Sequence, residues 1–202
     1  MKVCIIDTGT ANLNSVRQAL IRLGVDPVIS HDPDVLGSAD RLVFPGVGSA
    51  EAAMGGVNSR GLAPFLRQTK IPLLGICLGM QCLGASSSEV PEGSKLEKID
   101  CLGIVPGRVL LLDSKGGRLP HMGWNTVTHV DHPLFEGIRQ DSYFYFDHSY
   151  AMELGPYAIG TTQYGTKFTS ALGRGNFMGV QFHPEKSGAC GARLLKNFLD
   201  NF

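Results

Sequence analysis

Two short stretches carry residues whose types and spacing suit covalent chemistry. The first is Gly75-Ile76-Cys77-Leu78-Gly79, a cysteine with a glycine two residues away on each side. It follows the apolar pair Leu73-Leu74 and reads as a buried strand that reverses sharply into a helix through Gln81. Small neighbours let such a turn close and leave room for a substrate at the sulfur. A sulfur at a helix N-terminus is favoured as thiolate by the dipole and the free N–H groups. Those groups, beginning with that of Leu78, also suit the oxyanion of an acyl-transfer intermediate. The second stretch is His183-Pro184-Glu185, which follows the strand at 179–182. A thiol needs a base to ionise it and to protonate the leaving group, and the base needs an acceptor to fix its tautomer. His183 and Glu185 are of the right types, and alternate positions on extended backbone point the same way. Each stretch alone also has a plainer reading. A cysteine in an apolar run is ordinarily a small buried hydrophobe, and a His–Glu pair at a strand exit is ordinarily a surface ion pair.

The elements that must position these residues alternate in type. A strand at 2–7 leads through Thr8-Gly9-Thr10-Ala11-Asn12 into a helix, where Val16, Ala19, Leu20 and Leu23 recur at helical spacing and Gly24 ends the pattern. Strands follow at 27–30 and at 41–44, the latter stopping at Pro45. Helices follow at 49–54 and 62–68, and then comes the strand at 73–77. This alternation predicts a single α/β domain over 1–202, with a mostly parallel central sheet flanked by helices. In such sheets sites gather beyond the carboxyl ends of the strands, where residues 7–9, 45–48 and Cys77 all fall. The second half is richer in strands, at Val105, 109–112, 126–130, 143–146, 158–162 and 169–172. Residues 173–176 read as a hairpin turn into 177–182, and 192–202 as an amphipathic helix. Residues 86–89 and 114–117 read as exposed loops.

Composition narrows the class. The chain has 202 residues, 43% of them hydrophobic, and 18 basic residues balance 18 acidic ones. No basic run is present, which argues against nucleic acid as the main partner, and near-zero charge fits a protein that sits in a complex. Cysteines 4, 77, 82, 101 and 190 include no Cys-x-x-Cys pair, so they read as reduced thiols. With neither a leader layout nor an apolar run of spanning length, the expectation is a cytoplasmic chain with no membrane contact. Pro45-Gly46-Val47-Gly48 is not a dinucleotide loop, because Glu51 stands where that fingerprint needs glycine. Its N–H groups suit an oxyanion instead. Residues 160–167 lack the Gly-Lys-Ser/Thr of a phosphate loop. His129 and His132 flank a loop, while His31 and His121 are isolated, so neither a metal nor a cofactor is expected.

Three segments, 45–48, 75–81 and 179–185, resemble in order and spacing the class I glutamine amidotransferases, over essentially the whole chain. That resemblance implies a flavodoxin-like glutaminase fold. It also implies Cys77 as nucleophile, His183 as base and Glu185 as orienting acid. Gln81, Ser149 and Tyr150 would meet the substrate glutamine, and Gly46, Val47, Gly48 and Leu78 would surround the oxyanion. Within the family the finer resemblance is to the glutaminases of histidine biosynthesis. It is carried by Ile5-Ile6-Asp7-Thr8-Gly9, Asn12-Leu13, Pro120-His121-Met122-Gly123-Trp124-Asn125, residues 144–150 and Lys186-Ser187. It implies a heterodimer in which ammonia passes to a (β/α)₈-barrel cyclase. Met122, Trp124, Asn125, Tyr145 and Lys186 would then lie on the face that meets the partner, although a single Trp is more often a core residue. Two departures from the family pattern stand out, a charge at Asp147 and Ser49-Ala50 after Gly48. Two other readings remain open, a glutaminase serving a different ammonia acceptor and a stand-alone cysteine hydrolase.

Overall fold

The computed structural model describes residues 1–9 and 12–202. Thr10-Ala11 of the expected first turn lie outside the described residues. The first half alternates strand and helix, with two helices between the third and fourth strands: β1 (Val3–Ile6), α1 (Leu13–Arg22), β2 (Val28–Ser30), α2 (Pro33–Gly37), β3 (Arg41–Gly46), α3 (Ala50–Ser59), α4 (Leu62–Gln68), β4 (Leu73–Cys77) and α5 (Leu78–Cys82). The second half runs β5 (Ser86–Ser87), β6 (Ile99–Asp100), β7 (Arg108–Leu111), β8 (His121–His129), β9 (Ser142–His148), β10 (Tyr150–Met152), β11 (Ala158–Tyr164), β12 (Thr166–Arg174), β13 (Phe177–Val180) and α6 (Gly188–Asn201). No described helix is long and apolar enough to cross a membrane.

The sheet runs β2-β1-β3-β4-β13 with all neighbours parallel, and then turns antiparallel through β12. Successive residues of a strand point to opposite faces, and β1 shows the consequence. Val3 and Ile5 enter one core with α1 and α6, while Cys4 and Ile6 enter the other with α3 and α4. A strand buried on both sides must be apolar throughout, which is why it reads as a continuous hydrophobic run.

The structure differs from the expected elements in several places. β3 does not stop at Pro45 but continues through Gly46, pairing Pro45 with Ile76 and Gly46 with Cys77. On its other side β3 pairs with β1 only as far as Val43, so the missing N–H of Pro45 costs no ladder bond there. The helix expected at 49–54 runs to Ser59, straight across Gly55-Gly56. That glycine pair is not a stop signal. A Cβ on Gly56 would collide with the Thr8 carbonyl oxygen, so the helix needs glycine to pack there. Residues 86–89 are not an exposed loop: Ser86 and Ser87 form β5, buried between β6 and β7. Val105 lies in a bend rather than a strand, and β8 begins at His121, earlier than expected.

Candidate functional site

Cys77 ends β4 and caps α5 with φ +54° and ψ −112°, a backbone conformation that L-residues rarely adopt. The neighbouring glycines make this turn possible. A Cβ on Gly79 would land on the Phe44 carbonyl oxygen, and one on Gly75 would stand 2.8 Å from the Met80 nitrogen. Gly46 approaches as closely, because its Cβ would lie 2.8 Å from the Gly79 nitrogen. Parallel pairing does the rest. With β4 between β3 and β13, Gly46 stands beside Cys77 and Val180 beside Ile76. The ends of three strands therefore bring residues 45–48, 75–81 and 179–185 to one place.

Past β13 the chain is pinned to β9. The His183 N–H donates to the Tyr145 carbonyl at 2.8 Å, and the Tyr145 N–H donates to the Ser187 hydroxyl at 3.0 Å. That hydroxyl in turn donates to the His183 carbonyl at 2.6 Å. The His183 imidazole meets Glu185 through Nδ1 and Oε1, 2.8 Å apart, and both side chains are buried. Burial alone pushes the His183 pKa down. Hydrogen bonds to Cys77 and Glu185, together with their charges, outweigh that and raise it to about 10. The thiol faces the Asp147 carbonyl at 3.9 Å and accepts from Gln181 Nε2 at 3.6 Å.

A cavity of about 320 Å³ opens onto Cys77 and His183. Val47, Gly48 and Leu78 line it, as do Gln81, Ser149, Tyr150 and Lys186. Leu78 begins α5, so its N–H has no partner within the helix. Gly46 borders an adjoining cavity of about 40 Å³ instead, together with Val47, Asn12, His183 and Glu185.

Two polar groups of the cavity were not legible in the sequence. Glu89, placed by its serine-rich setting in an exposed loop, is half-buried in the cavity wall, and burial raises its pKa. It accepts from the Ala50 N–H at 2.8 Å, while Ser49 caps α3 through the Ala52 N–H. The backbone at the start of α3 thus positions this carboxylate. His148 also lines the cavity, and His121 is not isolated but bonds to it, with Nδ1 3.0 Å from His148 Nε2. Burial lowers His148 to about 3 and His121 to about 4, so both rings are neutral at pH 7.

The residues expected on a partner face divide by strand register. Met122 stands opposite Asp147 and Trp124 opposite Tyr145, all on the outer face of the β8–β9 hairpin along with Tyr143. Trp124 is 55% exposed and Met122 62%, so Trp124 is not a core residue. Its ring meets that of Tyr145 edge-on at 6.1 Å, and Lys186 Nζ lies 5.6 Å from the same Tyr145 ring. Asn125 belongs to the inner face. Its amide nitrogen reaches His121 Nε2 at 3.2 Å and the Gln163 carbonyl at 3.0 Å, so it is not part of the exposed patch.

The model of the family described as "Glutamine amidotransferase class-I" matches residues 4–202. The imidazole glycerol phosphate synthase subunit HisH 1 of Vibrio vulnificus is 52% identical over 201 residues, covering 98% of each chain. The HisH subunit of Escherichia coli K12 is 51% identical over 201 residues, covering 99% of this chain and 100% of that one. A solved glutamine amidotransferase superposes with a TM-score of 0.75 at 19% identity, covering 99% of this chain and 98% of that one. PurLQS from Thermotoga maritima superposes with a TM-score of 0.72 at 17% identity, covering 98% and 97%. These two share the fold, and the relatives at half identity share the sequence as well. With a strained cysteine at the end of β4 and an imidazole–carboxylate pair beyond β13, the chain belongs to the class I glutamine amidotransferases.

Proposed function

We propose that the chain is one glutaminase domain over 1–202. In this reading it hydrolyses glutamine to glutamate and ammonia as a subunit of imidazole glycerol phosphate synthase in histidine biosynthesis. The observation that carries the reading is His183, paired with Glu185 at 2.8 Å and lining the same cavity as the Cys77 sulfur. The Cys77 thiolate attacks the side-chain carbonyl carbon of glutamine. N–H groups of Leu78 and the 46–48 turn hold the oxyanion. His183 gives its proton to the departing nitrogen, which leaves as ammonia and leaves a glutamyl thioester. His183 then takes a proton from water, which attacks the thioester and releases glutamate and the thiolate. Across the cavity the Glu89 carboxylate offers a counter-charge for the α-ammonium group of glutamine, while Ser149 and Tyr150 border the same space for its carboxylate.

The ammonia passes to a (β/α)₈-barrel cyclase docked on the outer face of β8–β9. There it is used to form imidazole glycerol phosphate and an aminoimidazole carboxamide ribonucleotide. The relatives' subunit names and the exposed cluster of Met122, Trp124 and Tyr143 support a heterodimer of this kind. Five unpaired cysteines fit a cytoplasmic setting. The decisive experiment co-purifies the chain with the cyclase and assays synthesis with either glutamine or ammonium as nitrogen donor. The C77A complex should lose glutamine-dependent synthesis and keep the ammonium-dependent reaction. Glutamine-dependent synthesis by C77A would overturn the reading.

A further inference from the structure

Gln181 is fully buried, and its amide stands against the sulfur of Cys77, with Nε2 3.6 Å from Sγ. Which end of an amide is nitrogen is settled by its neighbours. Here the ordering group is the Tyr150 carbonyl, which can only accept. Gln81 must therefore turn its Nε2 toward it, at 2.8 Å. The other N–H of that nitrogen reaches Gln181 at 3.0 Å, so Gln181 presents Oε1 there. Its own Nε2–H groups are left to face the sulfur. Gln81, with both N–H groups engaged, keeps its carbonyl oxygen for the N–H groups of a substrate.

The same carbonyl orders a second chain. His148 Nδ1 lies 2.9 Å from it and so carries the ring proton. Nε2 of neutral His148 then accepts from His121 Nδ1 at 3.0 Å, and His121 Nε2 accepts from the Asn125 amide at 3.2 Å. With two donors, the Tyr150 oxygen has both lone pairs occupied. Neither glutamine amide can flip without leaving a buried polar group facing its like.

We propose that Gln181 is a further catalytic residue, whose Nε2–H, aimed by Gln81 and the Tyr150 carbonyl, donates to the Cys77 sulfur and favours thiolate over thiol. As a thiol, the sulfur offers its hydrogen to the Asp147 carbonyl. As a thiolate it has no hydrogen to offer, and the Gln181 amide and His183 become its donors. The donation acts twice, before the attack on glutamine and again when thioester hydrolysis expels the sulfur with its electron pair. The titratable groups around the sulfur are His183 backed by Glu185, neutral His148, Cys82 on α5, and Asp147, Glu89 and Lys186 on the cavity wall. None of these groups is removed when only the Gln181 amide is replaced.

The assignment rests on Cys77 as nucleophile, but alkylation reads the sulfur without any turnover of glutamine. Iodoacetamide is applied to the purified chain from about pH 5 to about pH 10, and modification of Cys77 is followed by peptide mass spectrometry. Gln181→Met keeps the length of the side chain and removes the donor. Gln181→Glu keeps the shape and sets a carboxylate against the sulfur. The midpoint for Cys77 should rise by about one to two pH units in Q181M, the size expected for a lost hydrogen bond to a charged group. It should rise further in Q181E. A merely structural role would speed alkylation of the buried cysteines together and leave the Cys77 midpoint in place. An unchanged midpoint in either folded variant overturns the assignment, whatever happens to hydrolysis. If the complex with the cyclase shows no glutamine-dependent synthesis and the midpoint still shifts, the proposed function fails while the Gln181 hydrogen bond to the Cys77 sulfur stands.

Discussion

His183 Nδ1 lies 2.8 Å from Glu185 Oε1, and the two side chains are 5% and 4% exposed. The carboxylate holds the proton on Nδ1, which leaves Nε2 as the nitrogen that exchanges with Cys77. Together with Cys77 it stabilises the imidazolium against the cost of burial, so the folded pKa of about 10 stands above the ordinary histidine value of about 6.5. A group whose pKa rises on folding adds stability that is complete below the unfolded value and lost as pH climbs through the folded one. Glu185→Gln should therefore lower thermal stability most at or below about pH 6.5, with the gap to the unaltered protein closing toward about pH 10. Glutaminase kcat should fall by about 10²-fold or more. Melting curves across that range check the sign, and a gap that widens with pH would contradict it.

His121 and His148 act in the opposite sense. Their folded values, about 4 and about 3, lie below 6.5, because burial disfavours the charged rings. Below about pH 6.5 the unfolded chain takes up two protons that the folded chain refuses. Stability should then fall on acidification with a slope approaching about 1.4 kcal/mol per pH unit for each ring. His148→Gln should flatten that slope in denaturant titrations at successive pH values. The difference should disappear above neutrality.

The two histidines also mark where sequence reading stops. Cys77, His183 and Glu185 were legible because each stands in a contiguous string with its own spacing, and only the parallel order β3-β4-β13 was needed to join the strings. His121 and His148 are 27 residues apart and meet only through the antiparallel register of β8 and β9. Nothing local announces that pairing. Glu89 was misplaced for a related reason. Consecutive serines read as solvent-facing chain, yet here they add a buried two-residue strand beside β7. Pro45 misled through its reputation as a breaker, and the helix expected at 49–54 runs on through Gly55-Gly56. The structure uses a proline where the sheet lacks a neighbour and a glycine where a helix meets the Thr8 carbonyl. The continuous apolar runs of β1 and β4, by contrast, were read well because burial on both faces dictates them.

Glu89 should control substrate affinity rather than the chemical step. Its carboxylate is held by the Ala50 N–H and borders the cavity, and among the described residues no hydrogen bond links it to the imidazole–carboxylate pair. Losing a charge-assisted bond to an ammonium group costs about 1.5–3 kcal/mol. Glu89→Gln should raise KM for glutamine by about 10- to 100-fold with kcat nearly unchanged. Because burial raises the pKa of Glu89, the acid rise in KM should begin at higher pH than for an exposed glutamate. A fall in kcat at constant KM would assign Glu89 to the reaction itself.

Close packing around the elbow sets up a paired test of stability. A Cβ on Gly79 meets the Phe44 carbonyl oxygen, and one on Gly56 meets the Thr8 carbonyl oxygen, both backbone atoms with no room to yield. Gly79→Ala and Gly56→Ala should each cost about 3 kcal/mol or more in urea unfolding. Gly55, one residue away on the exposed side of α3, has nothing within 4 Å of its Cβ position. Gly55→Ala should stabilise by about 0.5–1 kcal/mol through helix propensity alone. Equal effects at positions 55 and 56 would contradict the packing described for α3.

Trp124 should matter to association and to nothing else. Its ring is 55% exposed and packs edge-on against Tyr145, so the folded chain gains little by burying it. Large exposed aromatics of this kind become anchors when a partner covers them. Trp124→Ala should leave the melting temperature within about 2 °C of the unaltered chain, since surface changes stay within about 0.5 kcal/mol. It should weaken binding to the proposed barrel cyclase by about 2 kcal/mol or more, near 30-fold in Kd by calorimetry. Asn125→Ala offers the contrast. Its amide bonds inward to His121 and the Gln163 carbonyl, so its loss should lower stability before it lowers affinity. If Trp124→Ala leaves Kd unchanged, the partner docks elsewhere, and the exposed face of β8–β9 needs another occupant.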